Sequence, residues 1–397
     1  MDIMKIEASN RVKSIGSYAF ADVDNEVAKL KKAGITPIDF GVGDPKDPTP
    51  GNIRNYCKRA IDKRKDAGYP SYIGDPEFRN TIAKWTKERF NVTLDPEKEI
   101  TSTIGAKEGV FNFHEGIINP GDYVIMPNPG YPPYERGTLF AEGHSFHYPL
   151  LKENGFLPDL EKIPKDILKK SKLMWINYPN NPTGATIPKE KLREIVDFGR
   201  DNEIIIGSDE CYSEIYFDEK PVSILEITKE NVFVVQSMSK RSAMTTYRVG
   251  WLAGDERIVD IFKKVKTNID SGTPTFIQDA AAAALLDEKH VEEFRASYKK
   301  KRDIISQALI DAGMEDSKPS ATLYIWQKTP KRINGAEFAK RLLAKDIALV
   351  TTPGAWISKQ VGGINPGENF VRFALVPSIA ECKVAAERIR KIIKPAF

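Results

Sequence analysis

Between residues 100 and 284, short apolar runs alternate with segments of helical periodicity. The clearest runs lie at 173–177, 204–206 and 232–235, where apolar side chains occupy consecutive positions rather than alternate ones, except for Asn177 at the end of the first run. Strands of this kind are buried on both faces, and helices between them predict a mostly parallel sheet that is covered on both sides. The chain is therefore predicted to adopt an α/β fold.

The pattern changes at about residue 285. A long charged helix is predicted near 288–312, and it is followed by shorter strands and helices at 323–327, 335–345, 348–352, 370–376 and 378–393. A chain of 397 residues is longer than the chain that usually folds around a single hydrophobic core, which predicts two domains. We expect the second to be a smaller α+β domain, completed by the N-terminal segment with its predicted strand at 38–42.

Composition and charge exclude several classes of function. The 59 basic and 55 acidic residues leave a formal charge of +4, spread along the chain, which gives no support to nucleic-acid binding. Cys57, Cys211 and Cys382 are odd in number and lack CxxC spacing, which argues against disulfides and structural zinc and fits a reducing compartment. With no apolar leader and no run of the ~18 apolar residues that a membrane helix needs, we expect a cytoplasmic protein without membrane contact.

Polar side chains cluster where the predicted strands end, and Lys240 is the most informative of them. It follows the buried run 232–235, together with Ser237 and Ser239, and Arg248 comes eight residues later. Because a buried charge is costly to desolvate, a lone lysine at a strand end usually extends its amine into solvent. Two serines and an arginine beside this lysine indicate an anionic group nearby.

Other strand ends supply complementary groups. Ligands in such sheets bind at the carboxyl ends of the strands, and these ends carry Gly105, Ala106, Lys107, Tyr131, Asn181, Asp209 and Tyr212. This set meets the needs of pyridoxal phosphate: an amine for the aldehyde, an acid for the pyridine nitrogen and donors for the ring oxygen. It also offers an aromatic ring to cover the cofactor ring, and cations with helix N–H groups for the phosphate.

The chain resembles a fold-type I pyridoxal-phosphate enzyme of the class I and II aminotransferase family. The resemblance covers nearly the whole chain, and its motifs stand in the family's order. They are Gly41-Val42-Gly43-Asp44-Pro45, the loop 69–74, Asn181-Pro182-Thr183-Gly184, Asp209-Glu210-Cys211-Tyr212, Ser237-Met238-Ser239-Lys240 with Arg248-Val249-Gly250, and Phe370-Val371-Arg372-Phe373-Ala374-Leu375. The resemblance implies a large cofactor-binding domain at 51–284, with a mostly parallel seven-stranded sheet, and a small domain formed by 1–50 and 285–397.

The resemblance also implies a role for each site residue. Lys240 resembles the catalytic lysine that holds the cofactor and moves the substrate proton. The cofactor-binding residues are implied to be Gly105, Ala106, Lys107, Tyr131, Asn181, Asp209, Tyr212, Ser237, Ser239 and Arg248, with Tyr69 reaching the phosphate from a second subunit of a homodimer. Gly43, Asn181 and Arg372 are implied to bind the substrate, an amino acid or a 2-oxo acid, with Arg372 holding its α-carboxylate.

The substrate is indicated less sharply. Residues 352–356 and 363–369 are similar to diaminopimelate-pathway aminotransferases, including the N-succinyl-diaminopimelate type, and residues 19–50 resemble the LL-diaminopimelate type. We therefore expect glutamate and 2-oxoglutarate as one substrate pair. An aspartate or aromatic aminotransferase, a C–S β-lyase and a cofactor-sensing regulator remain alternatives, although the last would need an added DNA-binding segment.

Two further patterns match the motifs of other classes of protein, a serine acyl-enzyme and a metal site. Ser237-Met238-Ser239-Lys240 also fits the S-x-x-K pattern of serine acyl-enzymes, but the partner motifs of those enzymes are missing. His144 and His147 have H-x-x-H spacing in an alternating strand pattern, which predicts that they point to opposite faces. We therefore expect no metal site.

Overall fold

The computed structural model of this protein describes residues 4–15 and 21–393. The strands within that part of the chain are β1 (Ile38–Asp39), β2 (Ile100–Thr103), β3 (Tyr123–Asn128), β4 (His144–Pro149), β5 (Ser171–Asn177), β6 (Ile205–Asp209), β7 (Val232–Ser237), β8 (Gly250–Gly254), β9 (Tyr324–Lys328), β10 (Leu349–Val350), β11 (Thr352–Pro353) and β12 (Phe370–Ala374).

The same part of the chain contains α-helices of four to twenty-three residues. They are α1 (Asn10–Lys13), α2 (Ala21–Lys32), α3 (Gly51–Lys63), α4 (Pro76–Phe90), α5 (Ala106–Asn112), α6 (His114–Ile117), α7 (Pro132–Phe140), α8 (Lys165–Leu168), α9 (Lys189–Asp201), α10 (Met238–Arg241), α11 (Glu256–Ile269), α12 (Thr275–Leu285), α13 (Lys289–Asp311), α14 (Gly335–Leu342) and α15 (Ile379–Ile393). Short 3₁₀ turns lie at Lys152–Asn154, Leu160–Lys162, Ile224–Glu226 and Gly354–Trp356.

A seven-stranded sheet forms the centre of the molecule, in the order β2-β8-β7-β6-β5-β3-β4. Strands β7, β6, β5, β3 and β4 pair in parallel, and β8 pairs antiparallel with both β2 and β7. The prediction of an α/β fold with a mostly parallel seven-stranded sheet is therefore confirmed. Its one reversed strand was not foreseen, because a buried antiparallel strand carries the same apolar pattern as a parallel one.

Both faces of this sheet are buried. Along β7, Val232 and Val234 join one apolar cluster, whereas Phe233 and Val235 join another on the opposite face. Since successive side chains of a strand point to opposite faces, two apolar layers require a strand that is apolar at every position. This is the physical origin of the uninterrupted apolar runs in the sequence.

A smaller α+β unit accompanies the central sheet, as expected. Strands β11, β12 and β9 form an antiparallel sheet, and β1 pairs in parallel with β10, which joins the N-terminal segment to the C-terminal part of the chain. Helices α13 and α15 pack together against this unit. Its apolar core brings Phe40 together with Ile305, Leu323 and Phe373.

Three predicted elements differ from the observed ones. The strand expected at 38–42 stops at Asp39, because the Asp39 carboxylate accepts the Gly41 N–H (2.8 Å) and turns the chain. The strand expected at 348–352 is divided into β10 and β11, which pair with different strands. The helical stretch expected after Gly105 is interrupted at Phe113, between α5 and α6. Among the described residues, no helix is both long enough and apolar enough to span a membrane.

Candidate active site

A cavity of about 750 Å³ lies at the edge of the central sheet, where β3, β5, β6 and β7 have their carboxyl ends. Strands β9 and β12 of the small sheet close it through Tyr324 and Arg372. Twelve of the residues singled out in the sequence line the cavity: Gly43, Ala106, Lys107, Tyr131, Asn181, Asp209, Tyr212, Ser237, Ser239, Lys240, Arg248 and Arg372.

Arg248 reaches this edge by a different route from the others. It precedes β8, the strand that runs against its neighbours. The amino end of a reversed strand lies beside the carboxyl ends of the strands around it, so Arg248 meets the residues that follow β7. The reversal of β8 therefore positions the arginine for the cavity.

Lys240 stands on a single helical turn at the end of β7. Ser237 begins that turn, and its Oγ accepts the backbone N–H of Ser239 (3.1 Å), which caps the short helix α10. The Lys240 Nζ donates to the carbonyl oxygen of Gly43 at 2.5 Å. The amine thus lies in the cavity, against the segment around Gly43, which is 197 residues away in the sequence.

Asp209 ends β6 and is buried beneath the cavity, with 5% of its surface exposed. Tyr134 Oη donates to its Oδ2 at 2.7 Å, and the Cys211 N–H donates to its Oδ1 at 3.2 Å. Burial nevertheless raises the pKa of Asp209 above its ordinary value. Because the buried carboxylate is poorly solvated, a positively charged group placed against it would favour the ionised form and be strongly stabilised in turn, which suits a protonated pyridine nitrogen.

The next residue, Glu210, points away from the cavity into a buried polar cluster, and it provides a stability test. Its Oε1 accepts hydrogen bonds from the Ile224 N–H (2.9 Å) and Ser208 Oγ (3.0 Å). Burial raises the pKa of Glu210 from its ordinary 4.5 to about 7. Folding therefore favours the protonated carboxyl, and the resulting stability is complete below the unfolded pKa and is lost as the pH rises through about 7.

We expect Glu210→Gln, which is neutral at every pH, to become more stable relative to the natural protein as the pH rises from about 5 to about 8, by up to about 3 kcal/mol. Urea unfolding at a series of pH values measures this difference. Glu161→Gln, at an exposed position, serves as the control and should give a difference that does not change with pH. A flat profile for Glu210→Gln would contradict the expectation.

An anion-binding group lies on the other side of the lysine. Ser237 Oγ and Ser239 Oγ are 2.9 Å apart, and the Arg248 guanidinium bonds to the carbonyl oxygens of Thr245 (2.7 Å) and Ile104 (3.4 Å). Gly105, which precedes α5, has φ +73°, a conformation that other residues rarely adopt, and a Cβ there would displace that guanidinium. Gly105 thereby brings Arg248 beside the first-turn N–H groups of α5, which have no acceptor within the helix.

A second charged group faces the cavity from the small sheet. Arg372 is 9% exposed; its Nη1 donates to Asn181 Oδ1 (3.2 Å) and its Nη2 to the Gly41 carbonyl (2.9 Å). Its Nε makes no hydrogen bond among the described residues. Asn181 is itself held, because its N–H donates to Asn177 Oδ1 (2.9 Å). Such a fixed guanidinium at the wall of a cavity suits a carboxylate.

Several residues that hold the site were not predicted from the sequence. Tyr134 orients Asp209, and Asn177 links Asn181 to Asp209 by donating to the Asp209 carbonyl (2.9 Å). Tyr324 bonds Tyr212 through the two phenol oxygens (3.0 Å) and lies 4.8 Å beneath the Arg372 guanidinium. The one available signal was position, since Asn177 is the last residue of a predicted strand and Tyr324 lies within another.

Two of the residues singled out in the sequence do not line the cavity. Gly105 stands directly beside it and shapes it through Arg248. Tyr69 is 85% exposed and does not reach the cavity of its own chain. Its expected contact, from a second subunit, stays a prediction.

The donor set fits pyridoxal phosphate. A buried acid stands at one side of the cavity, an amine at the centre, and two hydroxyl groups, a guanidinium and helix N–H groups at the other side, while Tyr131 provides an aromatic wall. A Cβ at Gly105 would overlap the Arg248 guanidinium, so glycine at this position leaves that guanidinium beside the start of α5. Fold and site together therefore define a pyridoxal-phosphate enzyme.

Comparison with known proteins identifies the family. The family described as aminotransferase class I and II matches residues 35–389. The LL-diaminopimelate aminotransferase of Aquifex aeolicus (strain VF5) is 41% identical over 390 residues, which cover 97% of this chain and 99% of that protein. The chain belongs to the class I and II aminotransferases.

Solved structures agree with this assignment. Substrate-bound BacF from Bacillus subtilis has a TM-score of 0.90 at 31% identity, with 98% of each chain covered. A single mutant of Thermus thermophilus aspartate aminotransferase has a TM-score of 0.89 at 26% identity, covering 98% of this chain and 100% of that chain. The fold is thus shared with proteins of different names, so it does not by itself select the substrate.

Proposed function

We propose that this aminotransferase moves an amino group between LL-diaminopimelate and 2-oxoglutarate, and that it serves lysine biosynthesis. The observation that carries the proposal is the 41% identity, over nearly the whole of both chains, with a protein named for that activity. The cavity, at about 750 Å³, is in the range that encloses small ligands, and it has room for a seven-carbon substrate with charged groups at both ends.

In this proposal the cofactor is held at three places. Asp209 would keep the pyridine nitrogen protonated, with Tyr134 fixing the carboxyl. Tyr131 would cover the ring, and Asn181 and Tyr212 would donate to its oxygen. Ser237, Ser239, Arg248 and the N–H groups of Ala106 and Lys107 would bind the phosphate, with Tyr69 of a second subunit. When bound, pyridoxal phosphate supplies an aldehyde that exchanges amino groups and a ring that withdraws electrons from the substrate.

The remaining residues orient the substrate and move its proton. Arg372 binds the α-carboxylate in a forked contact, and Gly43 leaves space beside it. Lys240 Nζ donates to the Gly43 carbonyl at 2.5 Å, and as a free amine it would accept the proton that leaves the substrate Cα. Since proton transfer requires hydrogen-bond reach, the position of this amine governs the rate.

The substrate assignment is tested by comparing amino donors. The protein with pyridoxal phosphate is assayed with 2-oxoglutarate and either LL-diaminopimelate, N-succinyl-LL-diaminopimelate or aspartate. We expect kcat/KM for LL-diaminopimelate to exceed the value for aspartate by about 100-fold or more, because a site that bonds the distal polar groups rejects substrates without them. Faster turnover of aspartate, or of the succinylated donor, would overturn the assignment.

Aspartate aminotransferase is the second candidate, favoured by the structural likeness to the Thermus thermophilus enzyme. The assay above separates it from the first. A C–S β-lyase would instead release pyruvate and ammonia from cystathionine without any 2-oxo acid, which a parallel reaction lacking 2-oxoglutarate detects.

The proposal includes the assembly and the domains. Exposed Tyr69 (85%) and Tyr72 (41%) support a homodimer in which each subunit completes the other's site. The boundaries 51–284 and 1–50 with 285–397 are supported by the apolar clusters of the central sheet and of the small unit, the second of which also takes in Tyr212, Ile215 and Phe217. The three free cysteines support a cytoplasmic location.

A further inference from the structure

The turn that carries Lys240 is conformationally demanding. We call residues 238–243 the lysine turn; it begins with α10 and ends at Ala243, whose φ is +49°. An alanine in the left-handed region is disfavoured by contact between its Cβ and the backbone. Neighbouring groups must therefore hold the turn in this conformation.

One set of contacts comes from residues 41–52, the first connector between the proposed domains. Thr49 Oγ1 donates to the carbonyl oxygen of Ala243 at 2.6 Å. The carbonyl of Gly43, in the same connector, accepts the Lys240 amine at 2.5 Å. The first connector thus touches the lysine turn at the lysine itself and at its left-handed end.

A second set comes from residues 284–290, the second connector. Arg241 is 3% exposed, and its Nη1 donates to the Ala284 carbonyl (2.8 Å), while Nη2 pairs with Glu288. Ser242 is fully buried, and its Oγ lies 2.9 Å from His290 Nε2. Both residues that follow the lysine are therefore bonded to the second connector.

The two connectors are also joined to each other. Asn52 Nδ2 donates to Asp287 Oδ2 at 2.6 Å, and the same oxygen lies 3.2 Å from His290 Nδ1, though in a direction that makes no hydrogen bond. A line of polar groups thus runs from Asn52 through Asp287 and His290 to Ser242. The order Ser-His-Asp is that of a hydrolase triad, but Ser242 is fully buried and meets no substrate, so a nucleophilic role is excluded.

We propose that His290 is a positioning residue for Lys240: it ties the lysine turn to the second connector, so that a change in the relative position of the two domains is transmitted to the amine. This inference rests on the proposed role of Lys240 and on the proposed domain boundaries. Glutamine places an amide where the histidine has Nε2 and keeps the contact with Ser242, whereas leucine fills similar space without it.

The test compares four single variants of the full-length protein. His290→Leu and Ser242→Ala should each lower kcat by about 10-fold with KM changed by less than about 2-fold, since substrate binding through Arg372 is untouched. His290→Gln should retain most of kcat. The double variant His290→Leu/Ser242→Ala should be no less active than Ser242→Ala alone, because Ser242→Ala already removes the contact with His290, together with the bond from Arg241 Nη1 (3.2 Å). Ser306→Ala, a buried α13 serine whose Oγ makes no hydrogen bond within the described residues, is the matched control and should change nothing.

A second readout needs no cofactor. Hydrogen exchange of amides 239–243, measured on the cofactor-free protein, should be about 10-fold faster in His290→Leu and Ser242→Ala and unchanged in His290→Gln and Ser306→Ala. If His290→Leu does not fold, Ser242→Ala carries the test. Normal exchange and normal kcat in folded Ser242→Ala, or an equal loss in His290→Gln, would overturn the inference. Failure of the proposed function is recognised separately, because the donor assay would then favour a substrate other than LL-diaminopimelate while the exchange comparison remained interpretable.

Discussion

Replacement of Lys240 by alanine is expected to lower kcat by about 10⁴-fold or more. The same variant should lose the absorption near the visible edge that covalently held pyridoxal phosphate gives. One amine is proposed to hold the cofactor and to carry the proton, and no other lysine amine bonds the Gly43 carbonyl at that point of the cavity within the described residues. Steady-state kinetics and an absorption spectrum measure the two losses together.

Two controls separate the amine from its charge. Lys240→Arg keeps the positive charge but lacks the reactive amine, so it should be as inactive as the alanine variant. Lys229→Ala removes a half-exposed lysine that pairs with Glu99 (2.6 Å), and it should leave kcat and the spectrum unchanged. An alanine variant at position 240 that kept a tenth of the natural activity would contradict the proposed role.

Arg372→Lys is expected to lower kcat/KM for the amino acid by about 10²- to 10³-fold, mainly through KM, because a lysine cannot reproduce a forked contact with a carboxylate. The guanidinium is held from below by the Tyr324 ring and from the side by Asn181 and the Gly41 carbonyl. A lysine there would also leave some of these acceptors without a donor. Kinetics at varied amino acid concentration measure the split between KM and kcat.

Arg390→Lys is the matched control. Arg390 pairs with Asp311 (2.7 Å) on the exposed side of the same unit, where an ion pair contributes little. Its kinetics should equal those of the natural protein. If Arg372→Lys lowered kcat while leaving KM unchanged, Arg372 would act in the transition state rather than as the carboxylate-binding group.

Much of the fold was accessible from local patterns. Uninterrupted apolar runs predicted the parallel sheet because strands such as β7 bury both faces, and the break at residue 285 predicted the smaller unit. The direction of β8 could not be predicted from the sequence, since Gly250–Gly254 is buried at every position like the parallel strands of the same sheet. That reversal matters for the site, because it brings Arg248 to the edge where Lys240 lies.

The residues of the site likewise divide into those that local sequence patterns predict and those that they do not. Lys240, Asp209 and Arg248 could be predicted as site residues because a charged side chain next to a buried strand is costly unless it has a partner. Tyr134, Asn177 and Tyr324 could not, because an aromatic or amide side chain is easily accommodated in a core. Their importance comes from contacts across long stretches of chain, such as Tyr134 to Asp209 and Tyr324 to Tyr212.

The chemistry of the site follows from the order of residues along the chain. That order specifies which charged and polar groups follow which strands, and hence that an amine, an acid and an anion-binding group belong to one edge of one sheet. The way in which Lys240 is held depends instead on tertiary contacts. Its turn is fixed by Thr49 on one side and by Arg241 and Ser242 on the other, through contacts with residues 284–290. Local sequence encodes the propensity of a segment, whereas the position of an amine depends on segments that meet only after the chain has folded.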